Sequence, residues 1–167
     1  MCTLSFIPVS ATDFILTSNR DEAPGRDTIP PQEYEEEGVR LLYPKDAVAG
    51  GTWIGLSEKQ RIISLMNGGF VAHTPEPPYV KSRGVVVKEL LKAEDVVATV
   101  ETYDFKGIEP FTCVIVDWNK ELKLFQLVWD GTDSHFKTMP LIPQIWSSSL
   151  LYSEEIKRKR EQWFSGF

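Results

Sequence analysis

The sequence has few of the residues that would commit it to a metal, a disulfide framework or a membrane. Its two cysteines are Cys2 and Cys113, and its two histidines are His73 and His135. A small stapled fold needs several paired cysteines, so this pattern fits a reducing compartment, and the cytoplasm is the expected location. The histidines stand far apart in the sequence, with no carboxylate or thiol at ligand spacing, so neither a metal nor a cofactor is expected. No apolar stretch approaches the roughly 20 residues that cross a bilayer. The apolar run at residues 4–9 is broken by Ser5 and Pro8 and has no charged segment before it, so it does not read as a secretory signal. Clustered positive charge is scarce too. Against 24 acidic residues there are 18 Lys and Arg, and the net charge of -6 argues against nucleic-acid or anionic-membrane partners, which need clustered bases. The basic run at residues 157–160 reads as the solvated face of one helix.

What the chain does have is a pattern of short strands and a few amphipathic helices. Residues 2–8 and 13–19 are β-rich and joined by a polar turn, which predicts a hairpin. The proline-rich, acidic residues 24–38 read as a long surface loop, because proline cannot donate to a strand ladder. Residues 52–56 and 61–66 predict a second hairpin, flanked by Gly50-Gly51 and Asn67-Gly68-Gly69. A helix is predicted over 82–92, with Val85, Val86, Leu90 and Leu91 on one side, and a second helical segment follows to residue 103. Strands at 111–116 and 122–129, two shorter strands, and a helix over 153–164 capped by Ser153 complete the chain. This order lacks the alternation of a doubly wound parallel fold. It predicts an α+β domain, residues 1–167, of two mostly antiparallel sheets packed face to face with helices outside. Length and composition suit one domain with one sizeable core.

Chemistry concentrates at the N-terminus. If Met1 is removed, Cys2 carries a thiol and a free α-amine on the same residue. Their unperturbed pKa values are about 8.5 and about 8, so the amine can accept the thiol proton without a histidine. The alternative is a small residue opening a strand. The polar tetrad Asn19-Arg20-Asp21-Glu22 ends the second strand of the hairpin, which returns it to the neighbourhood of Cys2. A carboxylate there suits an ammonium, and a guanidinium suits a substrate carbonyl or carboxylate, or favours the thiolate. An ordinary polar turn is the other reading. Cys113 and the five tryptophans read as core or pocket wall, and Gly50-Gly51 lacks the Lys-Ser/Thr of a phosphate loop.

Taken together, Met1-Cys2, Asn19-Arg20-Asp21-Glu22 with Arg26, Gly50-Gly51-Thr52-Trp53-Ile54-Gly55, Asn67 and Ser82-Arg83-Gly84 resemble the signature of the NRDE family, also called Transport and Golgi organization 2. More distantly the chain is similar to cysteine N-terminal-nucleophile amidohydrolases of the penicillin V acylase and bile salt hydrolase type. That resemblance implies a four-layer αββα sandwich. It also implies that Cys2 attacks an amide carbonyl, Asp21 orients the α-amine, and Asn67 donates to the oxyanion. Asn19, Arg20, Arg26, Trp53 and Ser148 would then line the substrate pocket. At 148 the chain departs from its relatives, which carry a longer Asn where this sequence has Ser. The implied activity is hydrolysis of a linear amide through a thioester. The implied alternatives are a non-catalytic carrier of haem or acyl ligands, a factor in Golgi organisation and secretion, or a plain interaction domain. The resemblance leaves open whether the domain is complete at its C-terminus, because relatives continue past the last helix. The oligomeric state is not legible.

Overall fold

The computed structural model describes residues 2–20, 25–149 and 152–166. In chain order the elements are β1 (Thr3–Pro8), β2 (Phe14–Asn19), β3 (Thr28–Glu36), β4 (Val39–Asp46), β5 (Ile54–Ser57) and β6 (Arg61–Asn67). Then come α1 (Arg83–Lys92), α2 (Val96–Thr102), β7 (Phe111–Asp117), β8 (Lys123–Trp129), β9 (Ser134–Met139), β10 (Gln144–Ser147) and α3 (Glu154–Ser165). Two antiparallel sheets result, a small one in the order β10-β1-β2 and a large one running from β3 to β9 in sequence order.

Burial follows from which faces are covered. In β7 the side chains alternate: Phe111, Cys113 and Ile115 join the core under α1 and α2, while Val114 and Val116 join the core between the sheets. Because both faces are covered, the strand reads as one continuous apolar run. Leu4 and Phe6 of β1, both wholly buried, supply the small sheet's side of the inner layer. Helix α1 starts where the Ser82 hydroxyl accepts the Gly84 N–H at 3.2 Å, and it buries Val86, Val87, Leu90 and Leu91 on the large sheet. Asp95 caps α2 through the N–H groups of Val97 and Ala98. Outside the small sheet, Arg160 of α3 donates to Thr3 Oγ1 at 2.9 Å and lies 4.3 Å over the Tyr152 ring. The layers are therefore helix, sheet, sheet, helix, the αββα sandwich the sequence predicted. The basic run is not wholly a solvated face, since Arg160 ties α3 to β1.

The proline-rich segment is where expectation and structure part. Residues 28–36 form β3, a nine-residue strand, and β4 pairs with it. Two features reconcile this strand with its prolines. It lies at the edge of the large sheet, and the register shifts between Ile29 and Gln32, the stretch that holds Pro30 and Pro31. Prolines are tolerated at edges and irregularities because no ladder N–H is required there. The turn is Glu37-Gly38, with φ of 54° and 77°. Two consecutive left-handed residues match the twist of a tight hairpin.

At the beginning of β6, buried Arg61 donates from Nε to Asp117 at 2.7 Å and from Nη1 to the carbonyls of Leu90 and Ala93, each at 2.8 Å. These carbonyls end α1 and have no intrahelical partner, so the guanidinium closes the helix and fixes it to the sheet.

Candidate functional site

The hairpin register builds the first half of the site. Thr3 pairs with Asn19, so Cys2 and Arg20 emerge together, one residue beyond the ladder. On the other side Thr3 pairs with Ser147, which brings Ser148 beside Cys2. The Ser148 N–H donates to the Cys2 carbonyl at 3.1 Å, and the Ser148 hydroxyl donates to the Asn67 carbonyl at 2.8 Å. Cys2, Ser148 and Asn67 are thus joined by two consecutive hydrogen bonds, although Asn67 ends β6 in the other sheet. Cys2 is 8% exposed and belongs to the apolar cluster that includes Met66, and Ser148 is 2% exposed.

Asn67 also lines a polar cavity of about 110 Å³, shared with Arg20, Arg26, Asp46, Trp53 and Arg83. The Arg20 guanidinium lies 4.0 Å over the Trp53 ring, donates to Thr28 Oγ1 at 3.1 Å and reaches Asp46 at 3.5 Å. Arg26 meets the same Asp46 oxygen at 2.7 Å. The other Asp46 oxygen accepts the N–H groups of Val48 and Ala49. Burial alone would raise the Asp46 pKa. Hydrogen bonds from the Ala49 N–H, the Arg26 guanidinium and the Val48 N–H outweigh it and hold the carboxyl below its ordinary value.

Two glycines let the main chain around the cavity close up. A Cβ on Gly51 would meet the Gly84 carbonyl carbon at 2.6 Å, and one on Gly84 would meet Thr52 N at 2.7 Å. The first turn of α1 crosses the 51–52 peptide at backbone contact, with the Thr52 N–H donating to the Gly84 carbonyl at 3.3 Å. Arg83, held by Glu109 at 3.1 Å and by the Pro110 carbonyl at 3.2 Å, enters the wall from that same turn.

Of the residues singled out in the sequence, Arg20, Arg26, Trp53 and Asn67 share this cavity, whereas Cys2 and Ser148 are not among its lining and are linked to it through the Asn67 main-chain carbonyl. Asn19 is exposed on β2 and is not part of the cavity lining among the described residues. Asp21 lies outside the described residues. Sequence reasoning missed Asp46, and it read Arg83 as a motif residue without a place in the pocket. The available signal for Asp46 was a carboxylate ahead of Gly50-Gly51, the pattern of a side chain that caps its own turn. Each histidine has a carboxylate partner that linear spacing did not suggest: Glu109 at 3.3 Å from His73 and Asp130 at 2.8 Å from His135. Cys113 is fully buried, and burial pushes its thiol well above the ordinary range.

The pattern of the family Transport and Golgi organisation 2 matches residues 1–158. Among curated proteins no sequence matches. Among solved structures, a variant of conjugated bile acid hydrolase from Clostridium perfringens superposes with a TM-score of 0.59 at 11% identity, covering 99% of this chain and 58% of that one. A second mutant of that hydrolase gives 0.60 at 12% identity, over 100% and 58%. Penicillin V acylase from Agrobacterium tumefaciens gives 0.56 at 10% identity, over 99% and 57%. The likeness is one of fold, that of N-terminal-nucleophile hydrolases, and the chain spans less than three fifths of these structures' length. No helix among the described residues is long and apolar enough to cross a membrane.

Proposed function

Because the chain belongs to the Transport and Golgi organisation 2 family, we propose that it is a cysteine N-terminal-nucleophile hydrolase of linear amides, active once Met1 is removed. The observation that supports this reading is the pair of hydrogen bonds joining the Cys2 main-chain carbonyl to the Ser148 N–H and the Ser148 hydroxyl to the Asn67 main-chain carbonyl, with Asn67 itself lining the arginine-rich cavity. In this scheme the α-amine of Cys2 takes the thiol proton and the sulfur attacks the amide carbon. The Asn67 side-chain amide donates to the oxyanion that forms, a contact whose loss typically costs about 3–4 kcal/mol. Collapse breaks the carbon–nitrogen bond, and the leaving amine takes the proton from the α-ammonium. Water then hydrolyses the thioester and restores the thiol. In this scheme Asp21 holds the α-amine, and Arg20, Arg26 and Trp53 hold substrate, the roles that the resemblance implies.

The carrier reading gains less support. Ligand pockets for drug-sized molecules run to about 300–1,000 Å³ and are mostly apolar, whereas this cavity is about 110 Å³ and rimmed by charge. The test combines intact mass with thiol labelling. Purified protein is expected to lack Met1, and a substrate-like acyl electrophile is expected to modify Cys2 in preference to Cys113. Retention of Met1 in protein that still turns over an amide would sink the mechanism, as would equal activity in Cys2→Ala.

A further inference from the structure

Cys2 and Asn67 belong to different sheets, and the apolar packing between those sheets is non-directional. Something directional has to fix the distance between a sulfur on one sheet and an amide on the other. Ser148 is placed to do so: its N–H holds the Cys2 carbonyl at 3.1 Å and its hydroxyl holds the Asn67 carbonyl at 2.8 Å, at 2% exposure. A hydroxyl has one proton to give. Here it goes to the Asn67 main chain and is not left for an oxyanion.

We propose that Ser148 is a positioning residue that sets the separation of the Cys2 sulfur and the Asn67 amide. It acts through Asn67, in place of the donor to substrate that its relatives' Asn implied. This rests on the hydrolase reading above. The directional bonds predict a selective defect. Alkylation of a thiolate by iodoacetamide displaces iodide without forming an oxyanion. Acylation by p-nitrophenyl acetate passes through one: the sulfur bonds to the acyl carbon, the thiol proton passes to the α-amine, and p-nitrophenolate leaves. Loss of the clamp should therefore slow the second reaction and spare the first.

The experiment uses the full chain with Met1 removed and reads the p-nitrophenolate burst and the iodoacetamide rate at Cys2. In Ser148→Ala the burst rate should fall roughly tenfold to a hundredfold, the scale of an ångström-sized misplacement, while alkylation stays within about twofold of the parent. Asn67→Ala and the Asn67→Ala/Ser148→Ala double variant should match each other, because a residue acting through Asn67 has nothing left to position. Multiplying losses in the double variant would instead make Ser148 an independent donor and overturn the proposal. So would an unchanged burst in Ser148→Ala, or equal losses in both reactions. If Ser148→Ala gives no cooperative melt, Ser148→Thr, which keeps the hydroxyl, should retain the burst within about threefold, and a larger loss overturns the proposal. An absent burst in the parent protein sinks the hydrolase reading itself, and this inference with it.

Discussion

Two arginine–aspartate clusters serve the two ends of the large sheet in different ways. At the start of β6, Arg61 is 1% exposed and meets Asp117 and two helix-terminal carbonyls, so its hydrogen-bonding capacity goes into the fold. Beyond the far end of the strand, Arg20 and Arg26 share Asp46 but face a cavity, with Arg20 spread over Trp53. The chemistry is the same and the surroundings decide its use. A guanidinium wrapped in main-chain acceptors is a bolt, while one beside open volume also forms the wall of a cavity.

Substitutions can break or sharpen that contrast. The largest effect is expected at Arg61→Met, which strands Asp117 and the α1 carbonyls. Leaving a buried ion pair with one partner costs about 3–5 kcal/mol, so denaturant unfolding should show a loss of that size, with the Cys2 burst preserved in the fraction still folded. Next is Gly84→Ala, whose methyl would collide with the 51–52 peptide. Overpacking of this kind costs about 1–3 kcal/mol, and the cavity should open, raising the accessibility of Arg83 to phenylglyoxal. Third is Arg20→Gln. Unfolding free energy should fall less than in Arg61→Met, because Arg26 still meets Asp46 at 2.7 Å and keeps its carboxylate paired, while substrate-like acylation of Cys2 falls. If stability falls instead and acylation holds, the two arginine sites are alike and the contrast fails.

The smallest effect is a pH slope. Asp46 ionises below the ordinary carboxylate value of about 3.9 in the folded chain. Its contribution to stability is therefore fully present above that value and is lost as pH falls through the folded pKa. Asp46→Asn should flatten the decline of melting temperature below about pH 4 relative to the parent. A parallel decline in both proteins would mean that Asp46 contributes nothing to acid stability.

Much of this was legible because it follows from local rules. The return of Asn19 and Arg20 to Cys2 needed only a hairpin, and α1 was marked by Ser82 ahead of a helical apolar period. Strand β3 was not, because Pro30 and Pro31 argue against a ladder unless the strand is known to be an edge with a register shift, which only the completed sheet decides. Asp46 and the clamp at Ser148 were hidden for a related reason. Their partners come from elements far away in sequence, Arg20 and Arg26 for one and Asn67 for the other, and no spacing rule links them. The substitution of Ser for Asn at 148 read as a shortened donor, while the structure gives that hydroxyl a main-chain acceptor.

Cys113 sits at the middle of β7, walled in on both sides by β6 and β8 and wholly buried. Its sulfur can meet a reagent only when the centre of the large sheet comes apart, and such opening has a free energy close to that of global unfolding. The chain therefore carries its own unfolding clock. In one labelling time course, the slow modification of Cys113 counts excursions to the open state.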